Sequence, residues 1–116
     1  MVETRTEPFG NVGQELRRGV VTLAVLSQLR TPQYGYSLRQ ALAARDMPVE
    51  EGTLYPLLRR LEGQGLLASE WRIENGPPRR YYRLSAAGEQ LYRDLTASWR
   101  GMVAIMDGLL EQGAEQ

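Results

Sequence analysis

The sequence predicts a mostly α-helical domain with a two-stranded β-hairpin, followed by a long C-terminal helix. Leucines at helical spacing indicate a short amphipathic helix over residues 50–64. A turn signal at residues 75–78 (Asn-Gly-Pro-Pro) separates two strand-like runs. Apolar residues recur at steps of three and four through residues 86–111. Helices followed by a hairpin, the wing, are typical of the winged helix-turn-helix fold, and we expect the last helix to be a dimerisation helix.

Composition narrows the class of protein. At 116 residues the chain has room for one domain. It has no Cys and no His, and all 14 basic residues are Arg. The usual zinc sites and the Ser-His and Cys-His nucleophile pairs are therefore unavailable, so we expect no metal, no cofactor and no enzymatic activity. The longest uncharged run, residues 19–29, is too short to span a bilayer, so we expect no membrane partner and a cytoplasmic location.

The periodicity divides the chain into four parts. We predict a mobile N-terminal arm over residues 1–14, a winged helix-turn-helix domain over 15–85, a dimerisation helix over 86–112 and a tail over 113–116. The expected helices cover residues 15–29, 35–45, 50–64 and 86–111, and the expected strands cover residues 66–73 and 79–84. Ser85 is the expected N-cap of the last helix.

Charge is distributed unevenly although it sums to zero. Residues 53–83 carry six Arg against three Glu, a balance of +3. Residues 84–116 carry two Arg against five acidic residues, a balance of −3. A basic middle next to an acidic end suggests that the middle faces phosphate, although chance alone is an alternative explanation for the asymmetry.

The helix over residues 50–64 has one apolar and one polar side. The side expected to be buried consists of Leu54, Leu57, Leu58 and Leu61. The other side carries groups that can contact base edges or phosphates in a major groove, namely Thr53, Tyr55, Arg59 and Arg60. Alternatively, the two arginines form a solvated face and Tyr55 packs half-buried. The basic hairpin that follows favours DNA binding.

The hairpin and the second helix add further candidates for contact with DNA. Alternation along the second strand puts Arg79, Tyr81 and Arg83 on one face and Arg80, Tyr82 and Leu84 on the other. We expect Arg79 and Arg80 to contact phosphates or a minor groove, with Arg80 at the hairpin tip. Arg83 can equally pair with Glu70 across the hairpin. Tyr36 and Ser37, at the start of the second helix, are candidates for contact with a phosphate.

Four segments together resemble the PadR-like transcriptional regulators: residues 16–29, 34–36, 51–62 and 77–85. The resemblance extends over about residues 15–110 and implies a dimeric winged-helix repressor whose last helix is the dimerisation arm. It also implies the short branch of the family, which has no further effector domain. Transferred by position, the resemblance implies DNA contacts at Tyr36, Thr53, Tyr55, Arg59, Arg79 and Arg80. The chain uses only Arg where relatives also use Lys.

The last helix carries a long apolar stripe that is expected to pair with a second copy of the chain. The expected dimer interface consists of Leu16, Val20, Leu91, Leu95, Trp99, Met102, Met106 and Leu109. Trp99 with Met102 and Met106 can also form an apolar site for planar aromatic or cationic compounds. The family resemblance implies such a pocket, and Val20 and Leu23 are its further candidate residues. Simple packing of Trp99 in the dimer core is the alternative.

These expectations combine into one function. We predict a homodimeric repressor that binds double-stranded DNA at an inverted repeat and responds to a small planar ligand. The alternative is a winged-helix dimer that acts as a protein-interaction module without binding DNA.

Overall fold

The computed structural model describes the backbone of residues 16–115 and the side chains of residues 16–111. The elements in chain order are α1 (16–28), β1 (Gln33–Tyr34), α2 (Gly35–Ala44), α3 (Glu51–Gly63), β2 (Leu67–Arg72), β3 (Arg79–Leu84) and α4 (Ala86–Glu115). Both predicted strands and the described parts of all predicted helices are confirmed. α4 continues four residues beyond its predicted end at Glu111. The predicted mobile arm over residues 1–14 lies outside the described residues.

The sheet contains one strand that the sequence analysis missed. The order is β1-β3-β2, with both pairs antiparallel. β1 contributes two residues, Gln33 opposite Tyr82 and Tyr34 opposite Tyr81. A two-residue strand has no periodicity of its own, because pairing with β3 alone defines it. The wing is therefore anchored directly to the start of α2.

Local sequence explains where α3 ends and where α4 begins. Ser85 is the N-cap of α4 as predicted, since its Oγ accepts the Gly88 N–H at 3.1 Å. The same hydroxyl donates to the Gly65 carbonyl at 2.6 Å, which links α4 to the turn after α3. Gly65 has φ +79°, a conformation that suits glycine, and it reverses the chain between α3 and β2.

One apolar core joins α1, α2, α3 and the sheet. The six largest fully buried side chains are Val25, Leu26, Leu29, Leu38, Leu54 and Leu58. Leu57 and Leu61 of α3 and Leu67, Tyr82 and Leu84 of the sheet are also buried, as the sequence predicts for α3 and β3. Full burial of each such side chain contributes about 1.5–3 kcal/mol before entropy losses.

α4 packs on this core only near its start. Leu91, Tyr92 and Leu95 are partly buried against the core. Gly88 is buried where α4 crosses the connection before β2, and a Cβ there would overlap the carbonyl oxygen of Leu66. Beyond Leu95 the large apolar side chains of α4 are mostly exposed. Within residues 16–115, no helix combines the length and apolar character needed to cross a membrane.

Candidate nucleic-acid interface

The polar side of α3 is exposed, as the sequence predicts. Each residue of a helix turns by about 100°, so the four buried leucines leave Arg59 near the middle of the opposite side. Thr53 and Arg60 lie at one edge of that side, and both are exposed. Tyr55 lies at the other edge and is half-buried. α3 therefore presents Thr53, Arg59 and Arg60 to solvent along about two turns.

Tyr55 packs against the beginning of α2. A Cβ on Gly35 would overlap the ring and hydroxyl of Tyr55, so glycine permits the close approach of the two helices. An ion pair of 2.9 Å between Arg39 Nη1 and Glu51 Oε2 joins α2 to the start of α3. These contacts fix the angle between the two helices of the helix-turn-helix unit. Tyr55 thus has a packing role, and its contact with DNA stays a prediction.

The two candidates at the start of α2 differ in how their hydroxyls are engaged. Tyr36 is 56% exposed, and its hydroxyl accepts a hydrogen bond from Gln40 Nε2 at 2.6 Å. Ser37 Oγ accepts the Tyr34 N–H at 3.1 Å and lies 2.8 Å from Gln33 Oε1 and 2.9 Å from the Tyr34 carbonyl. Tyr36 is therefore open to a ligand, whereas Ser37 stabilises the beginning of α2 from within.

Arg80 lies on the inner face of the wing, the face towards α3, and bonds there to residues of the same domain. Arg80 pairs in register with Trp71 and does not lie at the hairpin tip, so that expectation was wrong: the tip comprises residues 73–78. Strand alternation places its side chain on the same face as buried Tyr82. Arg80 Nη2 lies 3.1 Å from Glu62 Oε1 of α3, and its Nε donates to Ser69 Oγ at 3.0 Å.

Glu62 is the α3 residue that receives these contacts. A hydrogen bond from the Ser69 hydroxyl is the largest influence on the Glu62 carboxyl and lowers its pKa; burial opposes it, and the hydrogen bond and charge of Arg80 lower the pKa further. Glu62 is therefore ionised at neutral pH and ties the wing to α3. Arg80 forms this ion pair within the domain. Its predicted contact with DNA stays a prediction.

The outer face of the wing carries a row of tyrosines and arginines that reaches α2. The Arg79 guanidinium lies 4.5 Å from the centre of the Tyr34 ring. Tyr34 in turn stacks on Tyr36 at 6.4 Å and meets Tyr81 edge-on at 5.3 Å. Arg72 covers Tyr81 at 4.3 Å. Cation–π contacts of this kind orient arginines without neutralising them, so Arg79 keeps its charge available beside Tyr36.

Glu70 settles one alternative that the sequence left open. Its carboxylate accepts a hydrogen bond from Arg72 Nε at 2.7 Å within the same strand. Arg83 donates instead to the Leu84 carbonyl at 3.4 Å. The proposed pair between Arg83 and Glu70 across the hairpin is therefore not formed.

Sequence reasoning missed a basic cleft between α1 and α3. Arg17 and Arg18 line it together with Thr53 and Arg60, and the cleft encloses about 760 Å³. Arg17 is held there because its Nη2 donates to the Pro48 carbonyl at 3.3 Å. The α1 arginines were not candidates because only tertiary contact brings the start of α1 to the turn before α3.

A second groove lies between α1 and α4 and encloses about 500 Å³. All five predicted ligand-binding residues line it, namely Val20, Leu23, Trp99, Met102 and Met106. Leu16 and Leu95 of the predicted dimer interface line it as well, whereas Leu91 packs on the core and Leu109 lies 57% exposed further along α4. Val103 and Asp107 are lining residues that the sequence analysis missed. Among the described residues, no cluster of three or more potential ligands could hold a metal ion.

Fold and surface together define a winged helix-turn-helix protein with an exposed, Arg-bearing third helix and a long C-terminal helix. Comparison with known proteins gives its family. The family model described as "Transcriptional regulator PadR-like family" matches residues 22–94. The chain belongs to this family, whose members are transcriptional regulators and not enzymes.

Individual relatives agree with this assignment. The chain is 42% identical over 76 residues to the transcriptional regulator Rv3488 of Mycobacterium tuberculosis, an alignment that covers 65% of this chain and 71% of the relative. It is similar to the crystal structure of a PadR family transcriptional regulator from Eggerthella lenta, with 45% identity, a TM-score of 0.82 and coverage of 94% of this chain and 97% of that one. A PadR-like transcription factor from Bacteroides fragilis is 37% identical, with a TM-score of 0.73 and coverage of 85% and 98%.

Proposed function

We propose that this chain is a homodimeric repressor that binds double-stranded DNA at an inverted repeat. The observation that carries the proposal is the exposed side of α3, where Thr53, Arg59 and Arg60 face solvent on a helix whose other side is fully buried. A helix held rigidly in this way can enter a major groove with its polar side towards the base edges. Regulation then follows from occupying a promoter.

The residues around α3 fall into two groups: those that contact bases and those that contact phosphates. Thr53 and Arg59 are assigned to base edges, and Arg60, which lines the cleft of Arg17 and Arg18 together with Thr53, is assigned to a phosphate. Tyr36 and Arg79 flank the helix and reach the sugar–phosphate backbone, which positions the protein without reading sequence. Arg80 and Ser37 contribute indirectly, since each is bonded within the domain.

The proposed dimer forms through α4 and α1. Trp99, Met102, Met106 and Leu109 are 42–57% exposed on one side of α4, next to exposed Leu16 of α1. A second copy related by a two-fold axis would cover these side chains and would place two α3 helices on one face of the assembly. Two-fold symmetry of the protein requires an inverted repeat in the DNA.

The ligand proposal concerns the groove between α1 and α4. Its lining is dominated by Trp99, Met102, Met106 and α1 side chains, with Asp107 as an acidic group at its edge. An aromatic ring and adaptable methionines suit a flat aromatic compound, and a carboxylate suits a cationic one. Binding there would change the separation of the two α3 helices. A ligand relieves repression only if it binds the dimer with this changed separation more tightly than the dimer that binds DNA.

Selection of duplexes from a random library tests DNA binding. We expect enrichment of an inverted repeat, a changed preference for Thr53→Ala, and roughly tenfold weaker binding for Arg59→Ala. Arg79→Ala should weaken binding to all duplexes and should reduce the magnitude of the slope of log K against log salt by about one for each subunit. Arg93→Ala, on the exposed surface of α4, is the matched control. Enrichment of no duplex at moderate salt would favour the alternative of a protein-interaction module.

Fluorescence tests the ligand proposal. In a Trp71→Phe background and without DNA, proflavine, a planar aromatic cation, should quench Trp99. Tetraethylammonium, a cation without a ring, is the control compound. Equal proflavine binding by a Trp99→Ala variant that remains dimeric would contradict the proposal. The cytoplasm is the compartment that we propose for this function.

A further inference from the structure

Trp71 is a large apolar side chain that the proposed function leaves unused. It is 64% exposed although it lies within β2. Its register partner is Arg80, and alternation places it on the same strand face as Ser69 and Leu67. That face is the inner face of the wing, because Leu67 is buried and Ser69 bonds to Glu62 of α3. Trp71 therefore continues the α3-facing side of the wing outward into solvent.

An indirect link through Arg80 connects this ring to α3. The Arg80 guanidinium lies 5.8 Å from the centre of the Trp71 ring and pairs with Glu62 of α3. The contacts Glu62–Arg80 and Arg80–Trp71 thus link the indole to the C-terminal end of α3. An exposed indole linked in this way to a helix that enters a groove can reach the strand that borders the groove.

We propose that Trp71 packs its indole ring against the sugar–phosphate backbone of the duplex beside the half-site that α3 reads, an inference that rests on the proposed function. The apolar ring face suits the deoxyribose, and the indole N–H can donate to a phosphate oxygen. Residues 67–84 carry four Arg against two Glu, a balance of +2 that complements the phosphates. Arg80 acts here as a positioning residue for Trp71.

The contact has a thermodynamic signature of its own. Trp71→Ala should weaken binding to the selected duplex roughly tenfold, in the range of aromatic contacts to nucleic acids. It removes no charge, so the slope of log K against log salt should stay unchanged, unlike the slope for Arg79→Ala. Trp71→Phe keeps a ring and should stay within about threefold of the unsubstituted chain. Ile73→Ala is the matched control, since Ile73 is 76% exposed on the same hairpin, and its affinity should stay within about twofold.

A direct observation uses the unsubstituted sequence labelled with 5-fluorotryptophan. The chain contains two Trp, so ¹⁹F NMR gives two resonances, and Trp71→Phe assigns them. Saturation with the selected duplex should shift the Trp71 resonance more than that of Trp99. An unmoved Trp71 resonance, or an unchanged affinity of Trp71→Ala, would overturn the inference. So would an Ile73→Ala loss as large as that of Trp71→Ala, or a Trp71 resonance that moves with protein concentration without DNA.

Failure of the inference about Trp71 can be distinguished from failure of the proposed function. If the unsubstituted chain enriches no duplex, the proposed function fails and the inference fails with it. If Arg59→Ala and Arg79→Ala weaken binding as proposed while Trp71→Ala does not, only the inference about Trp71 fails.

Discussion

The winged domain and the distal half of α4 place their apolar side chains in opposite ways. In the winged domain Leu26 of α1 and all leucines of α2 and α3 are buried, and ion pairs between Arg39 and Glu51 and between Arg80 and Glu62 join its elements. From Trp99 onward, the large apolar side chains of α4 are 42–65% exposed. The winged domain is thus completed by its own core. The distal half of α4 can bury its apolar side chains only against another surface.

The largest expected effect is the loss of dimerisation when charges are placed on the distal half of α4. The double variant Met102→Glu, Met106→Glu places two charges in the apolar side of α4 and should abolish dimerisation while the winged domain stays folded. Sedimentation velocity would show a monomer, with circular dichroism and the unfolding transition checking the fold. Ala97→Glu, Ala104→Glu adds the same charges on the opposite, exposed side of α4 and should leave the dimer intact. Dimerisation that survives in the first variant would contradict the role of α4.

A smaller effect tests the junction between the two regions. Gly88→Ala places a Cβ against the Leu66 carbonyl oxygen, which belongs to the backbone, and should destabilise the chain by about 2 kcal/mol. Gly101→Ala, where a Cβ meets open space, should instead stabilise it by up to about 1 kcal/mol through helix propensity. Urea denaturation at one fixed protein concentration measures both. Equal effects of the two substitutions would show that α4 does not dock at Gly88.

The smallest effect concerns the link between the wing and α3. The pKa of Glu62 is lowered from its ordinary value of 4.5, so its contribution to stability is present above that value and is lost as pH falls through the lower folded pKa. Glu62→Gln should therefore be less stable than the unsubstituted chain at pH 7, by less than about 1 kcal/mol, and the gap should close below pH 4.5. Thermal unfolding from pH 7 to pH 3 measures the gap. A constant gap would indicate that the loss reflects packing alone, and Glu74→Gln in the wing turn is the control.

Sequence predicted the parts of the fold that repeat locally. The buried leucines of α3, the strand β3 and the cap at Ser85 each follow from spacing or from a residue's own chemistry, and all are confirmed. β1 could not be predicted, because two residues become a strand only by pairing with β3. The added length of α4 was missed since its last turns, rich in Gly and Glu, carry little of the apolar pattern.

The candidate surface was predictable to a similar extent. The exposure of Thr53, Arg59 and Arg60 follows from helical periodicity. The position of Arg80 was missed because its ion pair with Glu62 joins residues on two different elements. Trp71 could have been found by alternation, since Leu67, Ser69 and Trp71 share a strand face. The arginines at the start of α1 had no such signal.

Native mass spectrometry of the complex with the selected duplex counts the chains that bind one inverted repeat. We expect the mass of one duplex plus two chains of 13.1 kDa, and for Met102→Glu, Met106→Glu a much weaker complex in which duplexes with a single bound chain also appear. A single chain that saturates the full inverted repeat with undiminished affinity would contradict DNA binding by the dimer. Equal affinity of the dimer and of the charged variant for the same duplex would contradict it as well.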